Sequence, residues 1–163
     1  MEEVSVGQVI ISKQVENSEN YQKFRKIVTE KKIEVLIVEK GNSLKIEDRI
    51  YFDVLWPNNS NLIKENGLNN NSIVCKIRYN DFSMLFTGDI EEIAEQQIIQ
   101  EYKNYAQIFN STILKVAHHG SKTSSTEGFL ELVKPKFAII GVGKNNLFGH
   151  PNQEVIKRLE NMR

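Results

Sequence analysis

Three short segments carry the side chains of this 163-residue chain best suited to metal or acid–base chemistry. The first is Met84-Leu-Phe-Thr-Gly-Asp89, an apolar stretch that runs through Thr-Gly into a carboxylate. Carboxylate oxygen is a ligand for divalent cations, and Gly88 permits a sharp turn or close backbone approach. From this segment alone, Asp89 reads first as the N-cap of a helix starting at Ile90. The second is Leu114-Lys-Val-Ala-His-His-Gly-Ser121, where two of the three histidines stand together. A neutral imidazole binds transition metals, and a second one beside it can move protons. Adjacent residues of a strand point to opposite faces, so a regular strand aims only one of the two at a given ion. A turn at Gly120 relaxes that constraint, and a satisfied histidine pair at a strand end is the plain alternative. The third is Gly143-Lys-Asn-Asn-Leu-Phe-Gly-His150-Pro151, a loop leading into a helix start. Free N–H groups at such a start, with a histidine nearby, suit a phosphate. Loop packing accounts for His150 just as simply.

The elements that must position these groups follow from periodicity. Residues 4–12 are β-rich, and Ser18-Glu19-Asn20 starts a helix with Tyr21, Phe24, Ile27 and Val28 as its stripe. Residues 34–39 form a short apolar run ended by Gly41-Asn42, and residues 45–49 and 50–56 read as paired strands stopped by Pro57. Residues 58–71, rich in Asn, read as a long surface loop with a mobile tip. Asn80-Asp81 between two alternating runs, 72–79 and 82–86, predicts a tight hairpin. A helix over 90–102, a strand over 112–117, a short helix over 128–133, an apolar strand over 137–142 and a last helix over 154–161 complete the order. Strands with helices between them define the α/β or α+β class, here as one domain over residues 1–163.

Composition bounds the partners. The 21 basic and 21 acidic side chains cancel, so any polyanion contact is local. A single cysteine, Cys75, excludes an internal disulfide and reads as a small buried residue in a strand. No apolar run approaches the roughly 18 residues of a membrane span, and the acidic start Met1-Glu2-Glu3 is no secretory signal. The chain itself reads as soluble, which leaves room for a longer parent with membrane segments.

Taken together and in order, Thr87-Gly88-Asp89, Leu114-Lys-Val-Ala-His-His-Gly-Ser121 and Gly149-His150-Pro151 resemble the metallo-β-lactamase-fold domain of ComEC-type competence proteins. Asn71-Ser72-Ile-Val and Val54-Leu-Trp-Pro57 add weaker support. The resemblance implies a β-sheet sandwich flanked by helices, of which this chain is the later half. It matches Asp89 to a carboxylate that can bridge two metals, and the His118-His119 pair to a late histidine position. His119 is then the expected ligand and His118 the acid/base group, with the reverse order left open. His150 falls near substrate phosphate, and Ser121 and Lys115 are candidates for supporting substrate contacts.

One departure stands out. The family's main metal motif, His-x-His-x-Asp-His, is absent, because all three histidines lie after residue 117. It is expected on the amino-terminal side of Val4. Catalytic zinc usually takes three protein ligands and structural zinc four. The resemblance therefore implies zinc or manganese in the complete domain and little or none here. The implied parent is an integral membrane protein with a nuclease or phosphodiesterase domain acting on single- or double-stranded DNA. The isolated piece is expected to be inactive, and an exposed sheet edge to invite self-association. A non-catalytic DNA- or protein-binding scaffold, and a hydrolase of small phosphoesters, are the competing readings.

Overall fold

The computed structural model describes residues 4–13 and 18–162; the acidic opening, residues 1–3, lies outside them. A run of β-branched apolar side chains, Val9-Ile10-Ile11, gives β1 (Gln8–Ser12). Ser18 caps α1 (Glu19–Glu30), its hydroxyl accepting from the Tyr21 amide at 3.3 Å. β2 (Glu34–Val38) then returns parallel to β1, and the two form a separate two-stranded sheet. Tyr21, Phe24 and Val28 are half-buried and Ile27 is exposed, so the stripe of α1 is only partly covered.

The larger sheet begins with β3 (Ser43–Glu47) and β4 (Ile50–Trp56). A single helical turn, α2 (Gly67–Asn70), separates them from β5 (Val74–Tyr79) and β6 (Phe82–Phe86). α3 (Glu92–Tyr102) leads to β7 (Ile113–Lys115), α4 (Glu127–Val133) to β8 (Phe137–Ile139), and α5 (Gln153–Asn161) closes the fold. The six strands lie in sequence order, antiparallel from β3 to β6 and parallel from β6 to β8. The class is mixed α and β, as the periodicity predicts.

One face of this sheet makes the core. Leu85 and Leu114 point into a cluster with Trp56, Ile90, Ile98, Phe109, Phe129 and Val155, all buried. Each such side chain contributes about 1.5–3 kcal/mol of transfer free energy. On the opposite face the register aligns Phe52, Ile77, Met84, Ile113 and Phe137 across five strands. These side chains are half-buried until β8, where Phe137 is 65 % exposed.

Several boundaries differ from expectation for local reasons. β3 ends before Asp48-Arg49 because those residues make the turn, with Arg49 at φ 63°. The strand expected over 112–117 stops at Lys115, because the backbone leaves the extended region before the histidines. The strand expected over 137–142 ends at Ile139, and all of β8 is exposed rather than enclosed, because it forms the edge of the sheet. The largest correction concerns residues 58–71, which are pinned instead of loose. Asn70 and Asn71 are buried. Asn71 holds Ile63 through both its amide and its carbonyl, and the Trp56 indole donates to the Asn70 carbonyl at 2.7 Å. Buried backbone groups in a loop need partners, and asparagine supplies both donor and acceptor.

Candidate metal centre

Asp89, the paired histidines and Gly141 all follow the carboxyl ends of parallel strands β6, β7 and β8, where open sheets gather ligands. The Thr87 hydroxyl donates to the Lys115 carbonyl at 2.7 Å, tying the first two ends together. Gly88 then turns with φ +54°, and a Cβ there would stand 2.6 Å from Ser72 Cβ. Only glycine fits this crossing. The Ser72 hydroxyl accepts from the Asp89 amide at 3.2 Å. α3 starts only at Glu92, with Glu91 in the cap position, so Asp89 is not the helix cap.

The histidines do not sit on a strand. His118, His119 and Gly120 adopt left-handed φ values of 47°, 56° and 79° in succession. Each non-glycine residue there costs roughly 1–2 kcal/mol, and strain of this kind persists where surrounding contacts enforce it. The His118 amide donates to the Gly88 carbonyl at 3.1 Å, and the Ser121 amide to the His118 carbonyl at 2.9 Å. Gly120 lies under Pro151, where a Cβ would approach Pro151 Cβ to 2.8 Å. The strand rule that aims neighbouring side chains apart therefore does not apply.

His119 places Nδ1 2.7 Å from the Gly141 carbonyl oxygen. A carbonyl only accepts, so Nδ1 is the donor, and in the neutral ring Nε2 is the nitrogen with the lone pair. That nitrogen lies 3.9 Å from Asp89 Oδ1. A divalent ion about 2.1 Å from each atom spans up to about 4.2 Å, so the pair fits two corners of one metal site. Two donors are fewer than a preorganised site needs. Among the described residues no group of three or more His, Cys, Asp or Glu side chains gathers as a metal site.

His118 faces elsewhere. Its Nδ1 lies 3.4 Å from Glu91 Oε1, and its ring meets the His150 ring at 5.8 Å and 63°. Nδ1 of His118 and Nδ1 of His150 are both buried without a hydrogen bond among the described residues. Asn146 holds the His150 loop: its side chain donates to the Gly143 and His150 carbonyls and accepts from the Phe148 and His150 amides. Ser121 is buried, its hydroxyl paired with that of Thr123 at 2.9 Å. Lys115 folds back, its Nζ donating to the Val116 carbonyl at 2.8 Å, and its Cε would meet a Cβ at Gly141 at 3.4 Å.

Sequence motifs do not single out Glu91, Asn66 and Thr123, yet the three converge. The Glu91 carboxylate accepts from Asn66 Nδ2 at 2.6 Å and from Thr123 Oγ1 at 3.1 Å. The one local signal for Glu91 is its place two residues after Asp89, whereas Asn66 is masked by the asparagine-rich stretch around it.

Fold and site together define an α+β domain that collects carboxylate and imidazole donors at the ends of parallel strands. No protein-family profile matches the chain. Individual proteins do. ComE operon protein 3 of Bacillus subtilis is 33 % identical over 155 residues, which is 95 % of this chain and 19 % of that protein. Competence protein ComA of Neisseria gonorrhoeae is 31 % identical over 112 residues, covering 69 % of this chain and 15 % of that protein. Recombination protein 2 of Haemophilus influenzae is 34 % identical over 110 residues, covering 68 % and 13 %. The chain belongs to the ComEC family of competence proteins, and it spans less than a fifth of the length of these relatives. Among the described residues no helix is long and apolar enough to cross a membrane.

Proposed function

We propose that residues 1–163 are the later part of a metallo-β-lactamase-like hydrolase domain, a nuclease or phosphodiesterase serving DNA uptake. The observation that carries this reading is the approach of Asp89 Oδ1 and His119 Nε2 to 3.9 Å, with His119 Nδ1 tied to the Gly141 carbonyl. An outer hydrogen bond that fixes the free nitrogen of a histidine is the usual companion of metal ligation. Asp89 and His119 would hold zinc or manganese, with further ligands supplied by other residues of a longer polypeptide. When bound, such an ion supplies Lewis acidity toward a phosphoryl oxygen and acidifies water. His118 serves as the acid/base group and His150 contacts phosphate. Ser121 and Lys115 supply supporting contacts to the substrate. The competence-protein names of the relatives support DNA as substrate and a membrane-embedded remainder of the same polypeptide as partner. The exposed β8 edge is the surface through which copies of the isolated chain associate.

The test is cleavage of a fluorescent oligonucleotide by the longer polypeptide carrying this segment, with Zn2+ or Mn2+ added after chelation. Metal-dependent cleavage that vanishes in Asp89→Ala supports the proposal. Cleavage undiminished by that change refutes the assigned site, and DNA affinity without cleavage in any metal points to a non-catalytic binding module. Titration of Zn2+ into the isolated chain, compared with Asp89→Ala and His119→Ala, reports on the two donors independently of activity.

A further inference from the structure

Glu91 is fixed more completely than a surface carboxylate requires. Its amide donates to Asn70 Oδ1 at 3.0 Å, Asn66 Nδ2 grips Oε2 at 2.6 Å, and Thr123 Oγ1 donates to Oε1 at 3.1 Å. Two separate loops therefore aim one carboxylate, whose side chain is only 16 % exposed. Oε1 faces His118 Nδ1 at 3.4 Å, and that nitrogen is buried with no hydrogen bond among the described residues. An ionised carboxylate only accepts, so the nitrogen facing it is favoured as N–H. Such contacts are often long in the unliganded state and tighten when substrate arrives.

We infer that Glu91 is a positioning residue: it holds neutral His118 as the Nδ1–H tautomer and leaves Nε2 as the proton-accepting nitrogen. A base oriented by a third group is the general logic of activated sites. Here the orienting group rides on the same turn as the metal-facing Asp89, two residues away. The role given to His118 rests on the hydrolase reading, whereas the tautomer does not.

Long-range 1H–15N correlation on the 15N-labelled chain at pH 8.5 reads the tautomer directly. Only three histidines contribute, and single His→Gln variants assign them. Wild-type His118 and His119 should both carry the proton on Nδ1. In Glu91→Ala the His118 tautomer ratio should move toward Nε2–H by roughly two-fold or more, since the 3.4 Å contact is a charge approach and not a formed hydrogen bond. His119, held by Gly141, should not change and serves as the folding control. Glu91→Gln keeps a carbonyl acceptor and should retain the Nδ1–H form. A wild-type His118 protonated on Nε2, or a ratio unmoved in Glu91→Ala, overturns the inference. If Glu91→Ala does not fold, the wild-type spectrum and Glu91→Gln decide. Nuclease assays fail or succeed separately, so the two readings can be told apart.

Discussion

Replacing Gly88 by alanine tests whether the crossing beneath Asp89 is built as described. Two penalties add. Residue 88 has φ +54°, a left-handed conformation that costs a non-glycine residue roughly 1–2 kcal/mol. The new methyl would also lie 2.6 Å from Ser72 Cβ and 3.0 Å from its Oγ, so backbone must shift. Overpacking of this kind costs about 1–3 kcal/mol. The sum is about 2–5 kcal/mol, a large part of a typical stability of about 5–15 kcal/mol. With a urea slope of about 2 kcal/mol per molar, the midpoint should fall by about 1–2.5 M. Gly41→Ala is the matched control. Gly41 has φ +89°, but a Cβ added there would meet nothing within 4 Å. Only the conformational penalty then applies, and the midpoint should fall by less than about 1 M. Equal losses in the two variants would mean that Ser72 does not press on Gly88, and that Asp89 is placed by some other contact.

Three further expectations concern groups away from the donors. Cys75 is half-buried rather than enclosed, yet that burial pushes its thiol up to about 11, so Ellman's reagent at pH 8 should label the native chain more slowly than the urea-unfolded chain; equal rates refute the shift. Asp53 is raised by burial but lowered more by Arg78 and Ser43, so its carboxyl sits below the ordinary value of 3.8. The stability it contributes is present above that value and lost as pH falls through the depressed one. Asp53→Asn should flatten the acid limb of a urea-stability profile by a modest amount, since Arg78 is half-exposed; an unchanged limb excludes the pair. Glu95 is buried, which pushes its carboxyl above 4.5 despite amide donations from Ser125 and Thr126 and the nearby Arg158. Its contribution is full below that value and fades as pH rises through the raised one, so Glu95→Gln should be relatively more stabilised near neutral pH than near pH 4. The opposite trend would show that the two amides outweigh desolvation.

Much of this architecture is legible in the sequence because local rules and tertiary fold agree. The Asn80-Asp81 hairpin forms with Tyr79 opposite Phe82, and Ser18 caps α1 as its side chain suggests. The nearness of Asp89 to His119 is what the family resemblance implies, whereas the left-handed turn that brings it about is not legible in the sequence. What stays hidden depends on partners distant in sequence. No periodic pattern marks residues 58–71 as pinned: Asn70 reaches back to the Trp56 indole and on to the Glu91 amide, and with Asn71 also closes the segment on its own Glu65, Ile63 and Gly67 carbonyls. Apolar side chains carry the expected strands onward to Ala117 and Val142, because apolar character does not register where strand pairing ends, nor the left-handed turn that begins at His118. Glu91 acquires its role only when Asn66 and Thr123 converge on it from two loops.

The consecutive left-handed residues at 118 to 120 have a mechanical consequence. Neighbouring Cα atoms stay about 3.8 Å apart, and the His118 amide bonded to the Gly88 carbonyl and Gly120 pressed against Pro151 tie this turn to two other segments. Displacing the turn must therefore carry the Gly88 crossing and the Pro151 loop with it or break those contacts, while each imidazole turns about its own side-chain torsions. Warming or mild denaturant should loosen the His118 and His119 orientations together, once those two contacts give way.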